Sequence, residues 1–166
     1  MNDTITRYVA SLPDNPGKRY LLTVLKAMGD RLSSQPLSTA GLVIKIGGST
    51  LAKTGAAAYH GVANGKLVTI AASTDMPALT GLTITANSFN VACFFIDSAG
   101  TVTVAFGTEA TTRAGVKFPD FPENKALVGF LIITHSSTFT GGTTALDTAT
   151  TQYVSPVGAF DPTILI

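Results

Sequence analysis

The sequence predicts a mainly β protein: an antiparallel β-sandwich or jelly-roll-like domain over residues 39–166, preceded by a short α-helical arm over residues 1–38. Three observations carry this expectation. Apolar residues recur at spacings of three and four only within the first forty positions. From about Leu42 onward, short β-type runs alternate with turn residues, and two of the turns have the chemistry of tight hairpins.

The arm is read as two short amphipathic helices. Ile5, Tyr8, Val9 and Leu12 make the apolar stripe of the first, which Pro13 closes; Leu21, Leu25, Met28 and Leu32 make the stripe of the second. Asn15 and Pro16 suit a capping side chain and a first-turn proline, and the second helix should fade at "SSQP", before Pro36. Each stripe must be buried, either against the domain that follows or against another subunit.

The β-domain begins with a strand at Leu42–Ile46. In "AAAYHGVANGKLVTIAA", Asn64-Gly65 suits a two-residue type I′ turn, because both central positions need positive φ; that turn sets Val62 opposite Leu67 and Tyr59 opposite Ile70. A strand at Leu82–Thr85 comes next. The second hairpin, "NVACFFIDSAGTVTVAFG", admits two registers. A type I turn opened by Asp97 with Gly100 in the bulge position sets Ile96, Phe94 and Ala92 opposite Val102, Val104 and Phe106. A four-residue loop would instead bring Phe95, Cys93 and Val91 to those partners. Strands at Leu127–Thr134 and Gln152–Ser155 complete the set, at the spacing of a sandwich or jelly roll. "TDMPALTG", "FPDFPENK" and "SSTFTGGTTALDTAT" read as loops, the last long enough for a surface excursion. The tail "SPVGAFDPTILI" reads as extended, with an apolar end from Ile164 to Ile166 that needs a neighbour.

Composition narrows the function classes. The chain has 166 residues, enough for one domain and an arm. Charged residues are 13% of it, against roughly 25% in an average soluble protein, and Thr, Ser and Gly fill the gap. A net charge of +1 without a basic cluster disfavours nucleic-acid binding. The longest apolar run, Ala126 to Ile133, falls short of the roughly 20 residues of a membrane span, and the opening lacks the basic start of a secretory signal. Cys93 is the only cysteine, which excludes an internal disulfide; among Val91, Phe94 and Phe95 it reads as a buried thiol.

One stretch imitates an enzyme. In "KIGGSTLAKTG", Gly47, Lys53 and Thr54 fit the phosphate-binding loop pattern, with Ala52 where its second glycine belongs. That loop works only if a helix begins right after it, and here hairpin chemistry follows, so the stretch reads as a polar turn. "VACFFID" imitates a magnesium-holding strand end, but Asp97 opens the tight turn D-S-A-G. His60 and His135 are isolated, and each reads as a cross-strand or turn residue; no H-x-x-x-H, H-x-E or C-x-x-C occurs. No catalytic, metal or cofactor-binding residue is expected, and the chain is read as a non-enzyme. Gly141 and Gly142, set among threonines, could form a sugar-contacting loop, though the chain has no Trp and Phe139 is that loop's only aromatic.

Several segments resemble tailed-bacteriophage virion accessory proteins of the head decoration, or capsid cement, type. They are "GGSTLAKTGAAAYHGVANGKLVTIAASTDMPALTG", "FFIDSAGTVTVAFGT", "NKALVGFLII", "FTGGTTALD" and "YVSPVGAFDP", covering most of residues 47–162 and leaving the arm unmatched. The resemblance implies a β-rich structural protein made in the host cytoplasm and bound to the capsid exterior of the virion. Its partners would be the major capsid protein and itself, as a dimer or trimer, with no nucleic acid, membrane or cofactor involved. The residues expected to make capsid or subunit contacts are Ile5, Tyr8, Val9, Leu12, Leu21, Leu25, Met28, Leu32, Phe160 and Ile164. The alternative expectation is a tail-fibre or baseplate component that binds a host-surface glycan through the loop from Ser136 to Thr148.

Overall fold

A computed structural model describes residue 14 and residues 16–160. The first arm helix (Ile5, Tyr8, Val9, Leu12), the Asn15 cap and the tail end at Ile164 lie outside the described residues. The second arm helix is α1 (Pro16–Ser33), opening on the expected proline. Eleven strands follow among the described residues: β1 (Gln35–Pro36), β2 (Val43–Ile44), β3 (Ala52–Lys53), β4 (Tyr59–Ala63), β5 (Lys66–Ile70), β6 (Thr83–Ile84), β7 (Phe89–Ile96), β8 (Val102–Phe106), β9 (Ala126–Thr134), β10 (Phe139–Thr140) and β11 (Thr150–Val154). All of their pairings are antiparallel.

The organising element is a four-stranded sheet in the order β11-β9-β7-β8. Its central strands, "FNVACFFI" and "ALVGFLIIT", are continuous apolar runs instead of alternating ones, because both faces of the sheet are covered. Ala92, Phe94 and Ile96 point to one face, where three small sheets (β1-β4-β5, β2-β3 and β6-β10) form the second layer of the sandwich. Val91, Cys93 and Phe95 point to the other, covered by Val116, Phe118, Phe121 and Phe160 from loops and the chain's end. The second cover is aromatic: the Phe118 ring meets Phe130 edge-on at 5.0 Å, and Phe160 lies 5.3 Å from Phe130.

Both hairpins follow from local turn chemistry. Asn64 (φ 50°) and Gly65 (φ 74°) form the first turn, with Val62 opposite Leu67 and Tyr59 opposite Ile70. The second adopts the bulged type I register: Gly100 has φ 86°, its amide donates to the Asp97 carbonyl, and Ile96, Phe94 and Ala92 face Val102, Val104 and Phe106.

The β7–β9 ladder breaks once. Phe94 pairs with Gly129 and Phe95 with Leu127, so Val128 is an extra residue in a bulge. The bulge reverses the in-and-out parity of β9: Leu127 and Phe130, three apart, share one face, while Val128 and Leu131 share the other. At this break the fully buried Tyr59 of β4 donates its hydroxyl to the Leu127 carbonyl at 3.2 Å, tying the second layer to the main sheet.

One expectation is corrected in part. Of residues 136–150, read as a loop with a surface excursion, Phe139 and Thr140 form β10 paired with β6, and Phe139, Gly141, Leu146 and Ala149 are buried, while Ser136, Ser137, Thr138, Gly142, Thr143, Asp147 and Thr148 remain exposed. A Cβ at Gly141 would run into the Leu79 carbonyl, so only glycine permits that approach. Directly after α1, β1 pairs with β4, Gln35 opposite Val62 and Pro36 opposite Gly61.

Candidate functional site: the arm and the cleft beneath it

The enzyme-like stretch forms the turn of the β2–β3 hairpin, closed by a bond from the Lys45 amide to the Leu51 carbonyl. No helix begins there, and the Gly48 amide donates to the Asp147 carboxylate at 2.7 Å. A carboxylate held on that loop opposes a bound phosphate by charge. Thr54 is fully buried; its hydroxyl donates to the Ala71 carbonyl at 2.9 Å and accepts from the Thr74 amide at 2.8 Å. This stretch is architecture.

The other reactive side chains have structural partners. Asp97 accepts from the Thr101 and Ala99 amides, and those bonds, Thr101 foremost, hold its carboxyl below the ordinary range. Glu109 accepts from the Thr85 amide and hydroxyl, and its carboxyl is lowered for the same reason. His60 Nδ1 lies 3.0 Å from Oγ1 of Thr69, its cross-strand partner, and His135 Nδ1 lies 2.9 Å from the Ser137 hydroxyl within a turn. Burial pushes the Cys93 thiol up, which keeps it protonated and unreactive. Among the described residues no three His, Cys, Asp or Glu side chains gather where a metal could bind, and no helix is long and apolar enough to cross a membrane.

The arm is different. Helix α1 is joined to the β-domain chiefly at its C-terminal end: the Gly65 amide donates to the Ser33 carbonyl at 2.8 Å, the Asn64 amide to the Ser34 hydroxyl at 3.0 Å, and the Asn124 amide to Asp30 Oδ1 at 2.7 Å. Between the helix, the Asn64-Gly65 turn, residues 120–125 and residues 158–160 lies an open cleft of about 880 Å³. Its polar rim includes Lys26, Asp120, Glu123 and Lys125, and its apolar wall includes Phe121 and Leu127.

The helix's apolar stripe is left largely in water. Leu21 is 41% exposed, Met28 54% and Leu32 63%, while Leu25 is half-buried; Tyr20, to one side of the stripe, is 74% exposed. The domain's own core is closed without them. Lys18, Arg19, Lys26 and Arg31 against Asp30 give α1 a charge of +3, leaving the remainder of the chain at −2.

The structure therefore brings Leu21, Leu25, Met28 and Leu32 onto one helix, three of them exposed. It places Phe160 apart from them, half-buried within the aromatic cover. Ile5, Tyr8, Val9, Leu12 and Ile164 lie outside the described residues. Phe139, the one aromatic of the Gly141-Gly142 loop, is fully buried and offers no surface for a sugar ring. The cleft gave no sign in the sequence, since its rim comes from a linker and its depth from where the helix lies.

Comparison with protein-family models, with curated proteins and with solved structures returns no match.

Proposed function

We propose that this chain is a bacteriophage virion structural protein, a capsid decoration protein that binds the outside of the head shell and stabilises it. The observation that carries the reading is the exposed apolar face of α1 beside a β-domain with a closed core. The surface left in water on Tyr20, Leu21, Met28 and Leu32 equals a little over two whole side chains, worth about 3 to 7 kcal/mol if buried and before association costs. A weakly charged, threonine-rich subunit with such an arm suits life clamped to neighbours, where interfaces are depleted of charge at their centres. The resemblance of the β-domain to head decoration proteins supplies the partner class, the major capsid protein together with other copies of this chain.

The mechanism is mechanical. Each copy adds buried area across the seams of the shell, and many copies raise the free energy of opening it, with multivalence offsetting modest affinity per copy. None of the ionisable groups described above is required to react. The glycan-binding alternative draws no support from the loop at 136–148, whose one aromatic, Phe139, is buried in the second layer of the sandwich.

The test uses purified phage heads and the variant Leu21→Ser/Met28→Ser/Leu32→Ser. The natural chain is expected to sediment with heads, and gold-labelled antibody against it to mark the head surface. The variant is expected to stay in the supernatant with an unchanged melting temperature. Labelling confined to the tail, or undiminished sedimentation of the variant, overturns the reading.

A further inference from the structure

Strand β8 is one outer edge of the main sheet. The Asp97 amide bonds the Thr101 carbonyl at its turn, and the Gly107 amide bonds the Val91 carbonyl at its far end. Hydrogen-bonded pairs alternate along an antiparallel ladder, so between those ends they are Phe95 with Thr103 and Cys93 with Ala105. The N–H and C=O groups of Val102, Val104 and Phe106 therefore point away from β7. Among the described residues none of these groups has a backbone partner on that side.

Natural sheets guard such edges with lysine, proline, charge or a bulge. The other edge of the main sheet and both edges of the three-stranded sheet have such devices: β11 leads to Ser155, which is bonded by Thr39 and Leu42, and then Pro156, β5 begins with Lys66, and β1 ends in Pro36. The run "VTVAF" of β8 has none among its own residues, the nearest lysine being Lys125, which donates to the Thr103 side chain and to no backbone group of the strand. Its outward set is also symmetric, with Val104 at the centre and Val102 and Phe106 two residues to either side.

We infer that β8 pairs with β8 of a second copy of this chain, antiparallel and across a two-fold axis at Val104. Val104 meets Val104, and Val102 meets Phe106 on each side of the axis. Those three pairs exchange six N–H···O=C bonds, and the two four-stranded sheets join into one of eight. No residue of either strand is itself charged, but Lys125 Nζ donates to the Thr103 hydroxyl at 3.1 Å, so pairing brings two like charges near the axis and keeps the contact weak. A five-residue strand pair falls short of the roughly 800 Å² per partner of a stable complex, so the contact is concentration-dependent and gains from assembly. This inference stands apart from the arm, since it concerns the opposite kind of surface and requires no virion.

The register supplies its own test. In the proposed pairing Thr103 lies opposite Ala105 of the second copy as a non-hydrogen-bonded pair, about 4.5 Å between Cα atoms, which a disulfide can span. Full-length Thr103→Cys and Ala105→Cys chains are mixed at about 200 µM under mild oxidation. The mixture is expected to give cross-linked dimer at least about fivefold above either chain alone; Cys93 is buried and does not compete. Adding Val104→Pro to both chains is expected to return the yield to the single-chain level, because it deletes an outward donor and no bond to β7. If that variant unfolds, Thr103→Lys in the natural chain serves instead: like charges beside the axis should lower the weight-average mass in sedimentation equilibrium. A mixture that cross-links no better than its components, a cross-link that survives Val104→Pro in a folded chain, or a mass unmoved by Thr103→Lys overturns the inference.

Discussion

Removing one oxygen atom tests how the two layers of the sandwich are held together. Tyr59 is fully buried, its hydroxyl lies 3.2 Å from the Leu127 carbonyl, and burial raises its pKa, so the phenol is a neutral donor at all ordinary pH. Tyr59→Phe keeps the ring and deletes the donor. A neutral hydrogen bond is worth about 0.5 to 1.5 kcal/mol net, and a buried acceptor left without its partner costs about 1 to 3 kcal/mol. We expect a loss near 2 kcal/mol, since the carbonyl sits at a bulge where the neighbouring ladder is already interrupted. In urea, with a slope of about 2 kcal/mol per molar, the midpoint should fall by about 1 M with the slope unchanged. A second substitution sharpens the test. A Cβ at Gly61 would stand 2.5 Å from the same hydroxyl oxygen, so Gly61→Ala should cost less in the Tyr59→Phe background than in the natural chain. A midpoint within about 0.2 M of the natural one, or strict additivity of the two substitutions, would refute the claim that this hydroxyl ties the layers.

Cys93 makes stability fall in alkali. Its folded pKa is raised above the ordinary 9.0, so the unfolded chain gives up the proton first, and stability present below that value is lost as pH rises. Between pH 9 and 10 the natural chain should lose roughly 1 kcal/mol more than Cys93→Ala does, measured by urea unfolding at each pH; parallel curves would place the thiol in contact with water. The turn reading of residues 45–51 has a cheap check of its own. Titration with ATP and magnesium should give the same flat response for the natural chain and Lys53→Ala, and saturable binding lost in the variant would restore the phosphate-loop reading.

Local turn chemistry was legible wherever a few adjacent residues decide the backbone. Asn64-Gly65 demands positive φ at two positions, which fixes the β4–β5 register. Asp97 and Gly100 do the same for β7 and β8, though choosing between two registers took the tertiary core, because both offered apolar pairs. The bulge at Val128 could not be read from "ALVGFLII", whose uniform apolarity hides the change of parity. The segment at 136–148 looked like a loop because threonine and glycine fill it. It is held in place by Phe139 and Leu146 in the core and by a two-residue strand too short for any periodic signal.

The sequence by itself determined which parts are helix and which are strand, where the chain turns, and that helix α1 has an apolar side, because those properties depend on neighbours within a few positions. Only the tertiary structure decided that this side faces water while the sandwich closes without it, and that a cleft opens beneath the helix. It also made β8 an edge of the main sheet, with no further strand beside it among the described residues. Those outcomes depend on contacts between residues far apart in the chain, and on which surfaces remain uncovered once the core is full.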